Sequence, residues 1–191
     1  MAGNAESVAG VVLAGGRSSR MGQDKAGLIC RGHTLLDHAK DLLRRSGLSD
    51  VHVSNSDGIA DEWTGRGPLA GIHATLKALG ERYAFLLYVP VDMPSLTPDL
   101  LRDLVDTIDD FPVVRFTGFS LPFRLRTDTK WIGIIDTMLR SGEKGSIKSF
   151  QQRIGAMERA FPHDAAACFA NVNTPEEWQR LEQDAFEKDV Q

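Results

Sequence analysis

The sequence predicts an α/β domain built as three layers, α/β/α, around a mostly parallel sheet. Three observations carry that expectation. Val8–Ala14 and Tyr83–Val89 are short, continuously apolar runs, the pattern of strands buried on both faces. Apolar residues at helical spacing follow N-cap signals between and beyond these runs. The order is β-α-β-α-β, and right-handed crossovers then place helices on both sides of one sheet.

The elements can be justified in turn. Val8–Ala14 runs into Gly15-Gly16, and the polar stretch 17–25 reads as a loop. Thr34 caps a helix carrying Leu35, Leu36, Ala39, Leu42 and Leu43, and Gly47 stops it. Val51–Val53 alternates as a second strand, and a turn-rich loop leads to Gly67. Pro68 opens a helix with Leu69, Ile72, Leu76 and Leu79 on one face. Tyr83–Val89 enters Pro90-Val91-Asp92-Met93-Pro94. Thr97-Pro98 then starts a helix with Leu100, Leu101, Leu104, Val105 and Ile108 inward. Pro112–Phe116 and Leu121–Leu125 read as strands, Trp131–Leu139 and Ile147–Ile154 as helices, and Cys168–Val172 as a last strand. Thr174-Pro175-Glu176-Glu177 has the cap, proline and acidic residue of a final helix.

The chain has 191 residues with no linker or internal repeat, so residues 1–191 are expected to form a single domain. A net charge of −4 argues against generic nucleic-acid binding. The segment from Arg115 to Arg153 is nevertheless basic, with eight cationic residues against Asp128, Asp136 and Glu143. Such a balance suits a small anionic ligand. Cys30 and Cys168 form no CxxC pair, and the five histidines form no HxxxH or HExxH, which excludes a zinc motif. Two lone cysteines and no basic leader segment before Arg17 predict a cytoplasmic protein; no apolar run is membrane-length.

The loop after the first strand concentrates chemistry. Leu13-Ala14-Gly15-Gly16 lets backbone N–H groups approach a base or phosphate without Cβ interference, and Arg20 and Lys25 add cations suited to a polyphosphate. Neither GxxxxGK[ST] nor GxGxxG is present. Asp92 follows the stronger apolar strand, where a carboxylate reaches the ligand crevice and suits Mg²⁺. The rival reading is an aspartate that merely forms the turn between two prolines.

The stretch Leu13-Ala14-Gly15-Gly16-Arg17-Ser18-Ser19-Arg20-Met21-Gly22-Gln23-Asp24-Lys25 resembles the signature loop of the molybdenum cofactor guanylyltransferases. The resemblance continues in Gly67-Pro68-Leu69-Ala70-Gly71, in Pro90-Val91-Asp92-Met93-Pro94 and in Phe169-Ala170-Asn171-Val172-Asn173-Thr174-Pro175-Glu176-Glu177. It implies a Rossmann-like nucleotidyltransferase fold, that of the nucleotide-diphospho-sugar transferases, with GTP in the N-terminal part and molybdopterin in the C-terminal part. The implied reaction transfers GMP from GTP to molybdopterin carrying molybdenum and releases pyrophosphate, with Mg²⁺ on Asp92. Lys25, Arg20 and Asp92 are the implied catalytic residues. Leu13, Ala14, Gly15, Gly16, Lys25, Asn55 and Asp61 would hold GTP, and Asn171 and Asn173 the molybdopterin. A molybdenum insertase and molybdoenzyme chaperones are the implied protein partners.

Other assignments carry alternatives as well. Asp61 can accept the paired N1–H and N2–H₂ donors of guanine, but Glu62 is its neighbour. Asn55 either helps hold the nucleotide or simply forms a turn. Asn171 and Asn173 alternate with apolar residues, so on a strand both amides face one side; the rival reading of Asn173 is a lead into the Thr174 cap, which leaves Asn171 unaccounted for. Leu121 stands before Pro122 where the family commonly carries a polar residue, and Arg124, Arg126 and Lys148 are the basic groups expected to compensate. The rival functions are cytidylyl or sugar-phosphate nucleotidyl transfer on the same fold, and a nucleotide- or cofactor-binding module without catalysis. Gly16 weighs against cytidylyl transfer, because those relatives tend to read LAAG.

Overall fold

The computed structural model describes residues 7–15, 27, 29–30, 32–63, 65–107, 110–141, 146–172 and 177. In chain order the strands and helices are β1 (Val8–Leu13), β2 (Ile29–Cys30), β3 (His33–Thr34), α1 (Leu35–Arg45), β4 (Val51–Ser54), α2 (Pro68–Leu79) and β5 (Phe85–Pro90). Then follow α3 (Pro98–Val105), β6 (Val113–Phe116), β7 (Phe123–Arg126), α4 (Thr129–Arg140), α5 (Ile147–Ile154) and β8 (Ala156–Arg159). A 3-10 helix, His163–Phe169, comes last.

Six strands form one sheet in the order β4-β1-β5-β7-β6-β8. β1 pairs parallel with β4 and β5, and β6 parallel with β8; β7 is antiparallel to both neighbours. Five strands therefore point one way. Because side chains alternate along a strand, β1 and β5 each feed two cores. Val12, Leu87 and Val89 meet α1 and α3 on one face, while Val11, Leu13, Leu86 and Tyr88 meet α2, α4 and α5 on the other. Gly10 lets α1 close down: a Cβ there would sit 2.9 Å from Leu43 Cδ1.

The expected caps are made. Thr34 Oγ1 accepts the Asp37 N–H at 3.1 Å, and Thr97 Oγ1 that of Leu100 at 3.4 Å. Beyond the expected elements the structure has β2, β3 and β8, and one expected strand is absent. Cys168–Val172 is not a strand: Phe169 and Val172 are buried by packing into the α1-side core, and the last strand of the sheet is β8, at Ala156–Arg159, beside β6. The 3-10 helix and an irregular run, 170–172, take its place. With the strand goes the expected one-sided alternation of Asn171 and Asn173; Asn171 is exposed, and Asn173 lies outside the described residues. The expected final helix lies outside them too, except for helical Glu177. No helix among the described residues is long and apolar enough to cross a membrane.

Candidate active site

The parallel strands deliver three segments to one edge. The helix that follows β1, α1, packs on one face of the sheet and the helix that follows β4, α2, on the other, the arrangement in which open α/β sheets bind ligands between the carboxyl ends of the two strands. Leu13–Gly15 is stitched across that edge. The Ala14 N–H donates to Ser54 O at 3.1 Å on one side, and Leu13 O accepts the Val91 N–H at 3.2 Å on the other. Gly71, in the first turns of α2, presses onto the same point; a Cβ there would lie 2.4 Å from Ser54 Oγ. The Gly67-Pro68-Leu69-Ala70-Gly71 motif thus packs a helix start against the ends of β1 and β4. Gly16, Arg20 and Lys25 lie outside the described residues.

The loop after β4 folds back on its own strand. Asn55 Oδ1 accepts the Gly58 N–H at 2.7 Å, and the Ile59 N–H donates to Val53 O at 2.8 Å. Asn55 therefore forms the turn that carries Asp61. A Cβ on Gly58 would come within 2.4 Å of Val53 O, a backbone atom that cannot swing aside. Ile59 and Trp63 pack into the α2-side core and pin the loop on either side of Asp61. Glu62 is committed elsewhere: Lys77 Nζ bonds its carboxylate at 2.6 Å, and this bond holds Glu62 below its usual pKa range. Among the described residues none pairs with the half-buried Asp61 carboxylate.

Asp92 stands two residues beyond the end of β5 and is half-buried, between Val91 and Met93, which are buried in the α1-side core. Its backbone carbonyl accepts the Val172 N–H at 2.8 Å. That bond brings the Asn171 segment to the Asp92 turn without a strand. As a metal ligand Asp92 has the right chemistry, a hard oxygen at the ligand edge. Among the described residues no cluster of three or more His, Cys, Asp or Glu could enclose a metal. One carboxylate from the protein fits a Mg²⁺ held mainly by substrate phosphates, and not one caged by protein.

The expected basic compensators of Leu121 do not serve the edge. β7 runs antiparallel, so Arg124 and Arg126 lie progressively farther from Asp92. Arg124 is buried, donates to Thr107 O and sits over the Phe85 ring at 4.4 Å. Arg126 pairs with Asp110 at 3.0 Å. Lys148 is exposed on α5. Sequence reasoning also missed Ser54, buried at the crevice, and Val172, whose N–H ties the C-terminal segment to Asp92.

A family model described as MobA-like NTP transferase domain matches residues 10–120. A relative from Xanthomonas euvesicatoria pv. vesicatoria, named molybdenum cofactor guanylyltransferase, is 40% identical over 90% of this chain and 93% of its own. The solved molybdopterin-guanine dinucleotide biosynthesis protein A of Archaeoglobus fulgidus superposes with a TM-score of 0.71 at 18% identity, covering 93% of this chain and 98% of that one. A Mycobacterium tuberculosis H37Rv protein solved in complex with manganese gives 0.63 at 20% identity, covering 93% and 98%.

Proposed function

The chain belongs to the MobA-like NTP transferase family, and on that premise we propose that it transfers GMP from GTP to the terminal phosphate of molybdopterin carrying molybdenum, forming the guanine dinucleotide and releasing pyrophosphate. One observation carries this reading: Leu13–Gly15, the Asp61 loop and Asp92 converge on one sheet edge, with the Asn171 segment tied to the last of them.

Each group has a task. Backbone N–H groups of the Leu13–Gly16 loop and the Asp61 carboxylate receive the guanine, and Asn55 shapes the loop that presents Asp61. Arg20 and Lys25 hold the donor phosphates, one as a fork and one as a point charge. Asp92 holds the divalent cation, Mg²⁺ in this reading, which when bound offsets phosphate charge. The manganese complex of the mycobacterial neighbour is in keeping with a divalent ion. Asn171 and Asn173 orient the acceptor. An oxygen of its phosphate forms a bond to the α-phosphorus as the bond from that phosphorus to the β-phosphate bridge breaks. Positioning and electrostatics are enough for this in-line displacement, so the protein forms no covalent intermediate. The setting is the cytoplasm, and an insertase and molybdoenzyme chaperones are the protein partners of the same reading.

The test is pyrophosphate release from each of GTP, ATP, CTP and UTP with Mg²⁺, with and without molybdenum-loaded molybdopterin. Release from GTP that depends on the acceptor is expected. Equal release from CTP, or release unaffected by the acceptor, contradicts the reading.

A further inference from the structure

Two buried polar side chains sit where the sequence pattern calls for apolar ones. Ile147, Phe150, Gln151 and Ile154 are the four buried residues of α5, spaced as one helical face, and Gln151 is fully enclosed among them. Arg115 interrupts the apolar strand β6 and is 5% exposed. Both reach the same turn. Arg115 Nη1 donates to Phe119 O at 2.7 Å, and Gln151 Nε2 donates to Ser120 O at 3.0 Å. Arg115 is anchored from behind by Glu158 of β8.

This arrangement is expensive. Gln151 Oε1 and Arg115 Nε are buried and make no hydrogen bond among the described residues. A buried polar atom left unmatched destabilises a fold, and an apolar side chain of similar size avoids that. What each residue supplies in return is a grip on the turn.

The turn is placed to use it. The register Tyr88–Phe123 sets Leu121 and Pro122 beside the end of β5, next to the Asp92 turn. The Phe119 ring stacks on Phe169 at 4.1 Å between centroids, two residues before Asn171. The 119–122 turn therefore touches both ends of the acceptor half: Asp92 through β5, and the Asn171 segment through Phe169.

We infer that Arg115 and Gln151 are positioning residues for the acceptor, gripping the Phe119–Leu121 turn by two consecutive carbonyls so that the turn and the Asn171 segment stay aligned beside Asp92. This rests on the proposed guanylyl transfer.

Two-substrate kinetics test it with Gln151→Met, which keeps the volume and removes the donor. The KM for molybdenum-loaded molybdopterin should rise about tenfold, the loss set by one hydrogen bond at a partly buried carbonyl. The KM for GTP and the rate at saturation should stay within about twofold, and Tm should change little, because losing the bond to Ser120 O offsets removing the unmatched Oε1. Amide exchange should quicken at 119–123 and not in β1 or β4. Gln151→Asn, which keeps the amide but shortens its reach, should give the same split if the Met variant folds poorly. An unmoved acceptor KM overturns the inference, and so does a parallel rise in both KM values. Wild-type protein with no acceptor-dependent pyrophosphate release removes the guanylyl reading itself and this inference with it. Normal wild-type turnover beside an unmoved variant removes only the grip.

Discussion

Asp92→Ala is expected to slow guanylyl transfer by at least about 10²-fold, the scale of losing a principal electrostatic stabiliser. The fold should survive. Val91 and Met93 carry the packing of this turn, and the link to Val172 uses the Asp92 backbone carbonyl, which the substitution keeps. Asp92→Asn separates charge from shape: it retains a hard oxygen at nearly the same place but loses the anion, so it should also be severely impaired. Rates at saturating Mg²⁺ beside thermal melting curves make the check. A variant that melts normally and keeps more than about a tenth of the wild-type rate would show that Asp92 is not the main metal ligand.

The second large effect concerns base choice. A carboxylate accepting guanine N1–H and N2–H₂ makes two hydrogen bonds to a charged group, each worth roughly 1.5–3 kcal/mol. Asp61→Ala should therefore reduce the preference for GTP over other purine nucleotides by at least ~10-fold in kcat/KM. ITP is the sharper probe, because it keeps N1–H and O6 and lacks only the N2 amine. Wild-type protein should use it less well than GTP, and the gap should narrow in the variant. Glu62→Ala serves as the control, since Glu62 is held by Lys77 and should leave base preference unchanged. If Glu62→Ala relaxes the preference and Asp61→Ala does not, the guanine reader is the other carboxylate. If neither does, backbone groups of the Leu13–Gly16 loop read the base alone.

Much of this architecture was legible in the residues themselves. The helix predicted over Ile147–Ile154 has those bounds, because Ser146 caps it and Gly155, at φ +87°, ends it. β1 and β5 stood out because a strand buried on both faces needs an unbroken apolar run. β8 carries no such mark. It lies at the sheet's end, and its Ala-Met-Glu-Arg sequence spends its two charged residues on Arg115 and Asp103, so it reads as polar surface. Cys168–Val172 was the converse error: its apolar residues are buried by packing into the α1-side core, with no sheet ladder. Local pattern cannot distinguish these two routes to burial.

The site divides along the same line. Asp92 could be placed from sequence because it follows a strand, and strand ends fix position. The different surroundings of Asp61 and Glu62 were not legible there, because the ion pair of Glu62 with Lys77 is a contact fifteen residues away that periodicity does not reveal. Arg124 and Arg126 were misplaced because β7 is the one reversed strand, and reversal carries the far end of a strand away from the ligand edge. The clue to the Arg115–Gln151 grip was present in the sequence, as a glutamine in an apolar helical slot and an arginine inside an apolar strand. Its meaning required the turn they hold.

Following the α-phosphorus tests the central claim most directly. GTP labelled at that phosphorus is incubated with the protein, Mg²⁺ and molybdenum-loaded molybdopterin, and the products are separated and counted. Guanylyl transfer predicts label in a guanine dinucleotide of molybdopterin, with one unlabelled pyrophosphate released for each one formed. Label that remains in GTP, appears only as free GMP, or enters the acceptor equally well from labelled CTP would contradict it.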